Sequence, residues 1–341
     1  MQSKPFKILS IDGGGIRGVF PAMLLSKLEA RLKESGNAKA QIYQHFDLIC
    51  GTSTGGIMAI ALALGIPAHD LYKLYMDNAA KIFGAKKTFW KQVKYAAHER
   101  DFLEELIRSK YKTAFDGKDP RLCDCKTNVC IPIYDLLLGR PAVLKNQYHP
   151  KFNRDYHIPA YVAALATAAA PTFFSPYSTS FTDLNDIETA FTNKVDGGVV
   201  ANNPALLGVI EAQVAFYQPL SNIRVLSLGT GHQKFTDGKN RDKWGLWYWM
   251  RQDKKTRLID LFMQAQSQQV QNLISLLQNG IDKENKDQPQ FVYNRIDTEL
   301  DDTLKVELDE TDRNKLERLA EKASYEFQAH GTQIINTYCK D

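Results

Sequence analysis

Gly51-Thr52-Ser53-Thr54-Gly55 sets a serine between two glycines. Ester hydrolysis by serine needs the hydroxyl held clear of the backbone, where a carbonyl carbon can reach it. A sharp strand-to-helix turn does this, and flanking glycines remove the side chains that would clash there. The helix that follows points its N-terminal N–H groups at the same place and favours developing negative charge. The neighbouring residues supply that context. Phe46–Cys50 is a short apolar run fit for a strand, and Ile57 to Leu64 is apolar on every side, as in a core helix. A Ser/Thr-rich helix cap would explain the pentapeptide but not its setting.

A second group is Asp12-Gly13-Gly14-Gly15-Ile16-Arg17-Gly18. Three successive glycines let backbone N–H groups converge on a small anion. Gly13-x-Gly15-x-x-Gly18 between a strand and a helix also fits a dinucleotide-binding fingerprint. Two features weigh against that reading. Asp12 puts a negative charge where a pyrophosphate would sit, and the next strand ends in the serine turn rather than in a ribose-binding acid. The better reading is an oxyanion hole at Gly13, Gly14 and Gly15, with the Gly14 and Gly15 N–H groups as donors and Arg17 ordering the loop or meeting a phosphate. A third group, Val195-Asp196-Gly197-Gly198, pins a carboxylate on a glycine turn. By itself it reads as an ordinary Asp-Gly turn.

These groups need elements to hold them. Phe6–Ile11 reads as a buried strand running into Asp12. Pro21 opens a helix with Phe20, Leu24, Leu28 and Leu32 on one face, closing near Gly36-Asn37. Ile66 to Lys110 reads as helical. Thr127–Ile133 alternates like a strand, Gly139-Arg140-Pro141 is a turn, Tyr161–Ala170 is an Ala-rich helix stopped by Pro171, and Val225–Leu228 is a buried strand. Leu316, Leu319, Ala323, Phe327, His330 and Ile334 lie at three- and four-residue spacing and mark an amphipathic helix at about 311–337, with His330 at the core edge rather than a ligand. Strand, tight turn and helix in repetition predict an α/β fold with a mostly parallel sheet between helical layers. No repeat or low-complexity linker divides the chain, which predicts a single domain over residues 5–335.

Composition narrows the function classes. The 341 residues are 44% hydrophobic, enough for a large core, and 43 basic against 39 acidic residues leave a net charge of only +4. That balance gives no argument for a DNA or RNA polymer and is compatible with anionic headgroups. No apolar run reaches 18 residues, so no membrane-spanning helix is expected, and the N-terminus lacks the apolar core of a secretion signal. Cys123, Cys125 and Cys130 lack the spacing of a zinc site and read as reduced thiols. Neither metal nor cofactor is expected.

Taken in order, Asp12-Gly-Gly-Gly-x-Arg-Gly, Gly51-x-Ser53-x-Gly55 and Asp196-Gly-Gly resemble the patatin-like phospholipase family. Ala169-Ala170-Pro171-Thr172-Phe173-Phe174, Val225–Gly231 and the late amphipathic helix extend the likeness over roughly residues 5 to 335. The resemblance implies a three-layer α/β/α fold and a Ser/Asp dyad, with Ser53 as nucleophile and Asp196 as base. It implies the Gly13–Gly18 loop as oxyanion hole, with Gly18, Gly51, Gly55, Gly197 and Gly198 as supporting positions. The reaction would be acyl transfer through an acyl-enzyme, on membrane glycerophospholipids. The chain also resembles the patatin-like effectors of bacterial anti-phage systems. That likeness implies activation by a cyclic di- or trinucleotide followed by degradation of membrane phospholipid. The expected location is cytoplasmic, peripherally at the inner membrane when active, and a homo-oligomer is a further candidate partner.

Two rivals stand beside this reading. An α/β-hydrolase triad in the order Ser…Asp…His would use Ser53, Asp196 and His232. A binding or storage relative would keep the fold without catalysis. Two surfaces bear on substrate and regulator. Lys243–Arg251 holds three of the four tryptophans and suits a membrane contact or a packed lid. Lys81–Tyr95 interleaves lysines with aromatics and suits anionic headgroups, a phosphorylated ligand or plain solvent.

Overall fold

The structure is a computed structural model, and it describes residues 4–84, 96–233, 248–249, 257–279, 291–301 and 303–340. Its core is an eight-stranded sheet: β1 (Phe6–Ile11), β2 (Leu48–Gly51), β3 (Asn128–Asp135), β4 (Arg140–Lys145), β5 (Tyr177–Thr182), β6 (Glu188–Asp196), β7 (Ile223–Leu228) and β8 (Val292–Ile296). The strand order is β5-β6-β3-β2-β1-β7-β8, with β4 paired to β3 off that path. The run β3-β2-β1-β7-β8 is parallel. The β3–β4, β3–β6 and β5–β6 pairs are antiparallel.

The helices are α1 (Val19–Glu34), α2 (Thr54–Ala63), α3 (Ala68–Phe83), α4 (Asp101–Thr113), α5 (Ala160–Thr167), α6 (Gly198–Ala201), α7 (Ala205–Val214), α8 (Arg257–Asn279) and α9 (Arg313–Ile334). Because strand side chains alternate between faces, the central strands feed two cores. Leu9, Ile11, Ile49, Val129 and Ile131 pack with α1, α2, α3, α5 and α9. Ile8, Cys50, Cys130 and Val225 pack with Ala205, Val209 and Ala212 of α7 and Ile274 of α8. These are the three α/β/α layers expected.

Several elements differ from the sequence reading. The helical stretch from Ile66 to Lys110 is realised as α3 and α4, and most of its lysine-aromatic segment lies outside the described residues. The Ala-rich helix ends at Thr167, before Pro171. β4, β5, β6 and β8 carry no pattern that separated them from loops. Of the tryptophan segment, only Tyr248 and Trp249 are described, packed edge to face at 5.0 Å. Among the described residues, no helix is long and apolar enough to cross a membrane.

Candidate active site

Sheet register brings Ser53 and Asp196 to one level. Cys50 of β2 pairs with Cys130 of β3, so Ser53, three residues on, lies level with Ile133. Ile133 in turn pairs with Asp196, the last residue of β6. The turn between β2 and α2 then lifts Ser53 off the sheet with φ 55° and ψ −124°. A left-handed serine costs on the order of 1–3 kcal/mol, and surrounding structure must hold it there. The Ser53 carbonyl accepts from the Gly56 and Ile57 N–H groups at 2.9 and 3.0 Å, and the Ser53 N–H donates to Thr167 Oγ1 at 3.1 Å.

The flanking glycines are explained by contact. A Cβ on Gly51 would lie 2.1 Å from the Gly55 carbonyl oxygen, and one on Gly55 would lie 2.2 Å from the Ile11 carbonyl oxygen. Gly197 approaches β3 so closely that a Cβ would meet the Pro132 carbonyl oxygen at 2.2 Å. Gly18 fits against Thr54, whose Oγ1 would be 2.5 Å from a Cβ there.

Asp196 is 3% exposed. Its Oδ1 accepts the Gly198 N–H at 2.6 Å, and it lines the same cavity as Ser53. Burial pushes its pKa up to about 7, and the Ser53 hydroxyl and the Gly198 N–H pull it back only in part. Among the described residues, no cation adds to that pull. A carboxylate in this state accepts a proton near neutral pH far better than one at the usual value near 4.

The glycine loop divides its donors. The Gly13 N–H donates to the Asn202 carbonyl at 3.0 Å, Ile16 to Leu308 at 2.9 Å, and Arg17 to Gly14 at 3.1 Å. The Gly13 N–H is therefore engaged with the turn after α6 and anchors the loop there. The Gly14 and Gly15 N–H groups have no backbone acceptor among the described residues. Gly15 adopts φ +56° and lines the same cavity as Ser53. Arg17 lies along a different cavity, its Nε 3.5 Å from the Gly14 carbonyl oxygen. Its position suits ordering the loop.

Two cavities flank this loop. The first, about 390 Å³, holds Ser53 and Asp196 and is walled by Ile57, Ile82, Phe83, Leu103, Phe173 and Phe174. An apolar chamber with a nucleophile at its polar end suits an acyl chain. The second, about 540 Å³, is polar and holds Asp12, Arg17, His232, Arg295 and Asp297. Asp12 is buried and takes a two-pronged ion pair from Arg295, at 3.2 and 2.7 Å. Arg295 also reaches Ser227 Oγ at 2.8 Å and Asp297 Oδ2 at 2.9 Å. Burial raises Asp12 to about 6, with Arg295 limiting the rise. Burial alone would raise Asp297, but His232 and Arg295 hold it below the usual carboxylate range. His232 Nδ1 lies 3.3 Å from Asp297 Oδ2, which raises the imidazole pKa. The histidine of the triad reading is thus partnered by Asp297, while Asp196 is bonded to Gly198 and shares its cavity with Ser53.

Sequence reasoning missed three residues. Thr167 Oγ1 accepts from Ser53 N–H and donates to the Pro132 carbonyl at 2.7 Å, and the Thr167 carbonyl accepts the Gly197 N–H at 3.3 Å. One threonine thus ties the serine turn to the aspartate turn. Its signal was faint: a single hydroxyl closing an otherwise apolar helix. Arg295 sits on a strand the sequence did not reveal. Asn202, just after α6, carries the carbonyl that anchors Gly13, and its side-chain amide donates to Ser267 Oγ at 3.0 Å.

Comparison with known proteins shows the family to which this chain is similar. A family model described as patatin-like phospholipase matches residues 9–209. Patatin-like protein 2 of Arabidopsis thaliana is 34% identical over 291 residues, spanning 77% of this chain and 70% of that protein. A cGAMP-activated phospholipase of Vibrio cholerae serotype O1 is 33% identical over 240 residues, spanning 67% of this chain and 65% of that protein. A protein of the same description from Pseudomonas aeruginosa is 33% identical over 280 residues, spanning 79% of this chain and 74% of that protein.

Proposed function

The chain belongs to the patatin-like phospholipase family, and from that premise we propose that it cleaves acyl esters of membrane glycerophospholipids through a Ser53/Asp196 dyad. The observation that carries this reading is a buried carboxylate sharing one apolar chamber with a serine held out on a strained turn, with no cation beside it among the described residues. Asp196 takes the Ser53 proton as Oγ attacks the ester carbonyl. The Gly14 and Gly15 N–H groups stabilise the tetrahedral oxyanion. The alcohol departs with the proton from Asp196. Water, deprotonated by Asp196, then attacks the acyl-serine, and the bond to Ser53 Oγ breaks as Asp196 returns the proton to it, releasing the fatty acid. Product analysis by mass spectrometry on mixed phospholipid vesicles tests the assignment: wild type should yield fatty acid and lysophospholipid, and Ser53→Ala neither. Activity retained in Ser53→Ala would overturn it.

Regulation is the finer part of the proposal. The two bacterial relatives described as cGAMP-activated support a cyclic-nucleotide activator here, while the anti-phage setting and the inner membrane face rest on the resemblance alone. The plant relative, at similar identity, is described only as patatin-like. Titrating cyclic di- and trinucleotides into the vesicle assay decides between the two. Activation predicts a saturable rise with one of them, and a flat response to all would remove that part of the proposal.

A further inference from the structure

The turn joining β3 to β4 exposes three consecutive leucines: Leu136 at 50%, Leu137 at 67% and Leu138 at 57%. Single exposed leucines are ordinary, but an unbroken exposed triplet at a loop tip needs a reason. The tip is not a slack loop whose side chains fold back on the body. Asp135 Oδ1 accepts the N–H groups of Leu137 and Leu138 at 3.0 and 3.2 Å, and Asp135 Oδ2 takes Lys194 Nζ at 2.6 Å. Gly139 closes the turn at φ +63°. The backbone is therefore fixed in a form that holds the leucines outward.

Register places this tip relative to the chemistry. Ile133 is level with Asp196 and Ser53, and β3 runs on in the same direction to Leu136. At about 3.3 Å per strand residue, the leucines stand on the order of 10–15 Å beyond the catalytic level, on the same edge of the sheet. Two further exposed apolar residues, Val199 and Phe262, line the acyl chamber itself. Charge is consistent with a phosphate-bearing surface. The one carboxylate in the turn is tied up by Lys194, and Arg140, exposed, follows the triplet. A second hairpin tip, between β5 and β6, exposes Leu184 and Ile187 on the same edge but sets them among Asp183, Asp186 and Glu188.

We propose that the Leu136–Leu138 tip is a membrane-insertion element, which enters the interface of a phospholipid bilayer and holds the acyl chamber against it. It rests on the phospholipase reading for its occupant, since the chamber must draw its chain from a bilayer. Apolar side chains enter the headgroup–acyl boundary while a flanking cation stays with the phosphates. The acidic second tip does not take this role.

The test compares wild type, Leu136→Ser/Leu137→Ser/Leu138→Ser and Leu184→Ser/Ile187→Ser. Each is measured by flotation with phosphatidylethanolamine/phosphatidylglycerol vesicles, by fatty-acid release from them and by hydrolysis of soluble p-nitrophenyl butyrate. The triple variant should lose vesicle binding and vesicle hydrolysis by tenfold or more and keep p-nitrophenyl butyrate hydrolysis within about twofold. The second variant should bind as wild type does. Wild-type binding by the triple variant, or a binding loss confined to the second variant, would overturn the proposal. So would a triple variant that binds vesicles normally but changes oligomeric state in light scattering, which would make the tip an interface between copies. Tip-dependent binding without fatty-acid release from wild type would sustain the insertion element while removing the catalytic reading, so the two fail separately.

Discussion

Asp12 directly follows β1 and Asp196 ends β6; each is buried, and each is pushed up by that burial, to about 6 and about 7. Their surroundings nevertheless assign them different work. Asp12 is clamped by Arg295, which in turn joins Ser227 of β7 and Asp297 just beyond β8. Asp196 has a hydroxyl and one backbone N–H for company. A carboxylate held by a guanidinium has its lone pairs occupied and is a strut. A carboxylate facing a serine, with no cation beside it among the described residues, suits the proposed base. Burial alone does not separate the two roles; the cation does.

Removing the base is the strongest test of that contrast. Asp196→Asn should cut hydrolysis of a soluble ester by about 10³-fold or more, because the amide cannot take the Ser53 proton. Near wild-type rates would transfer the base function elsewhere. Removing the strut's cation should register as stability instead. Arg295→Met leaves Asp12 and Asp297 buried beside an apolar chain, and about 3–5 kcal/mol should be lost in denaturant unfolding. A variant as stable as wild type would show that the pair is not what anchors the loop.

The pH profile sharpens the comparison further. The proposed base works deprotonated, so kcat/KM on the soluble ester should fall as pH drops through about 7. A profile flat to pH 5 would mean that burial does not raise this carboxylate. The smallest effect belongs to His232→Ala, expected to keep activity within about threefold, since its ring is bonded to Asp297 in the polar cavity. A loss near that of Asp196→Asn would restore the triad.

Much of the candidate site was legible along the chain, for a local reason. Gly51, Gly55 and Gly197 are required because a Cβ would strike backbone within about 2 Å, and such requirements leave glycines at fixed offsets from the residue they serve. Gly13 shows the limit of that reading. Its place in the glycine run is local, but the use of its N–H is decided by Asn202, far away in sequence. The parallel strands β1, β2 and β7 were legible because they are buried on both faces and read as apolar runs, whereas β8, parallel but half-buried, was not. The antiparallel strands β4, β5 and β6 carry mixed, partly exposed residues, and their pairing depends on partners rather than on pattern.

Taken alone, the amino-acid sequence determined the glycine loop, the serine turn, the aspartate turn and the layered α/β class, because backbone sterics and hydrophobic period act over a few residues. Only the tertiary structure decided that Ser53 and Asp196 share a level of the sheet, that Thr167 ties them, that Arg295 reaches Asp12 across 283 positions, and that Leu136–Leu138 face outward. Those are outcomes of register and packing between segments distant in the chain, and no local pattern encodes them.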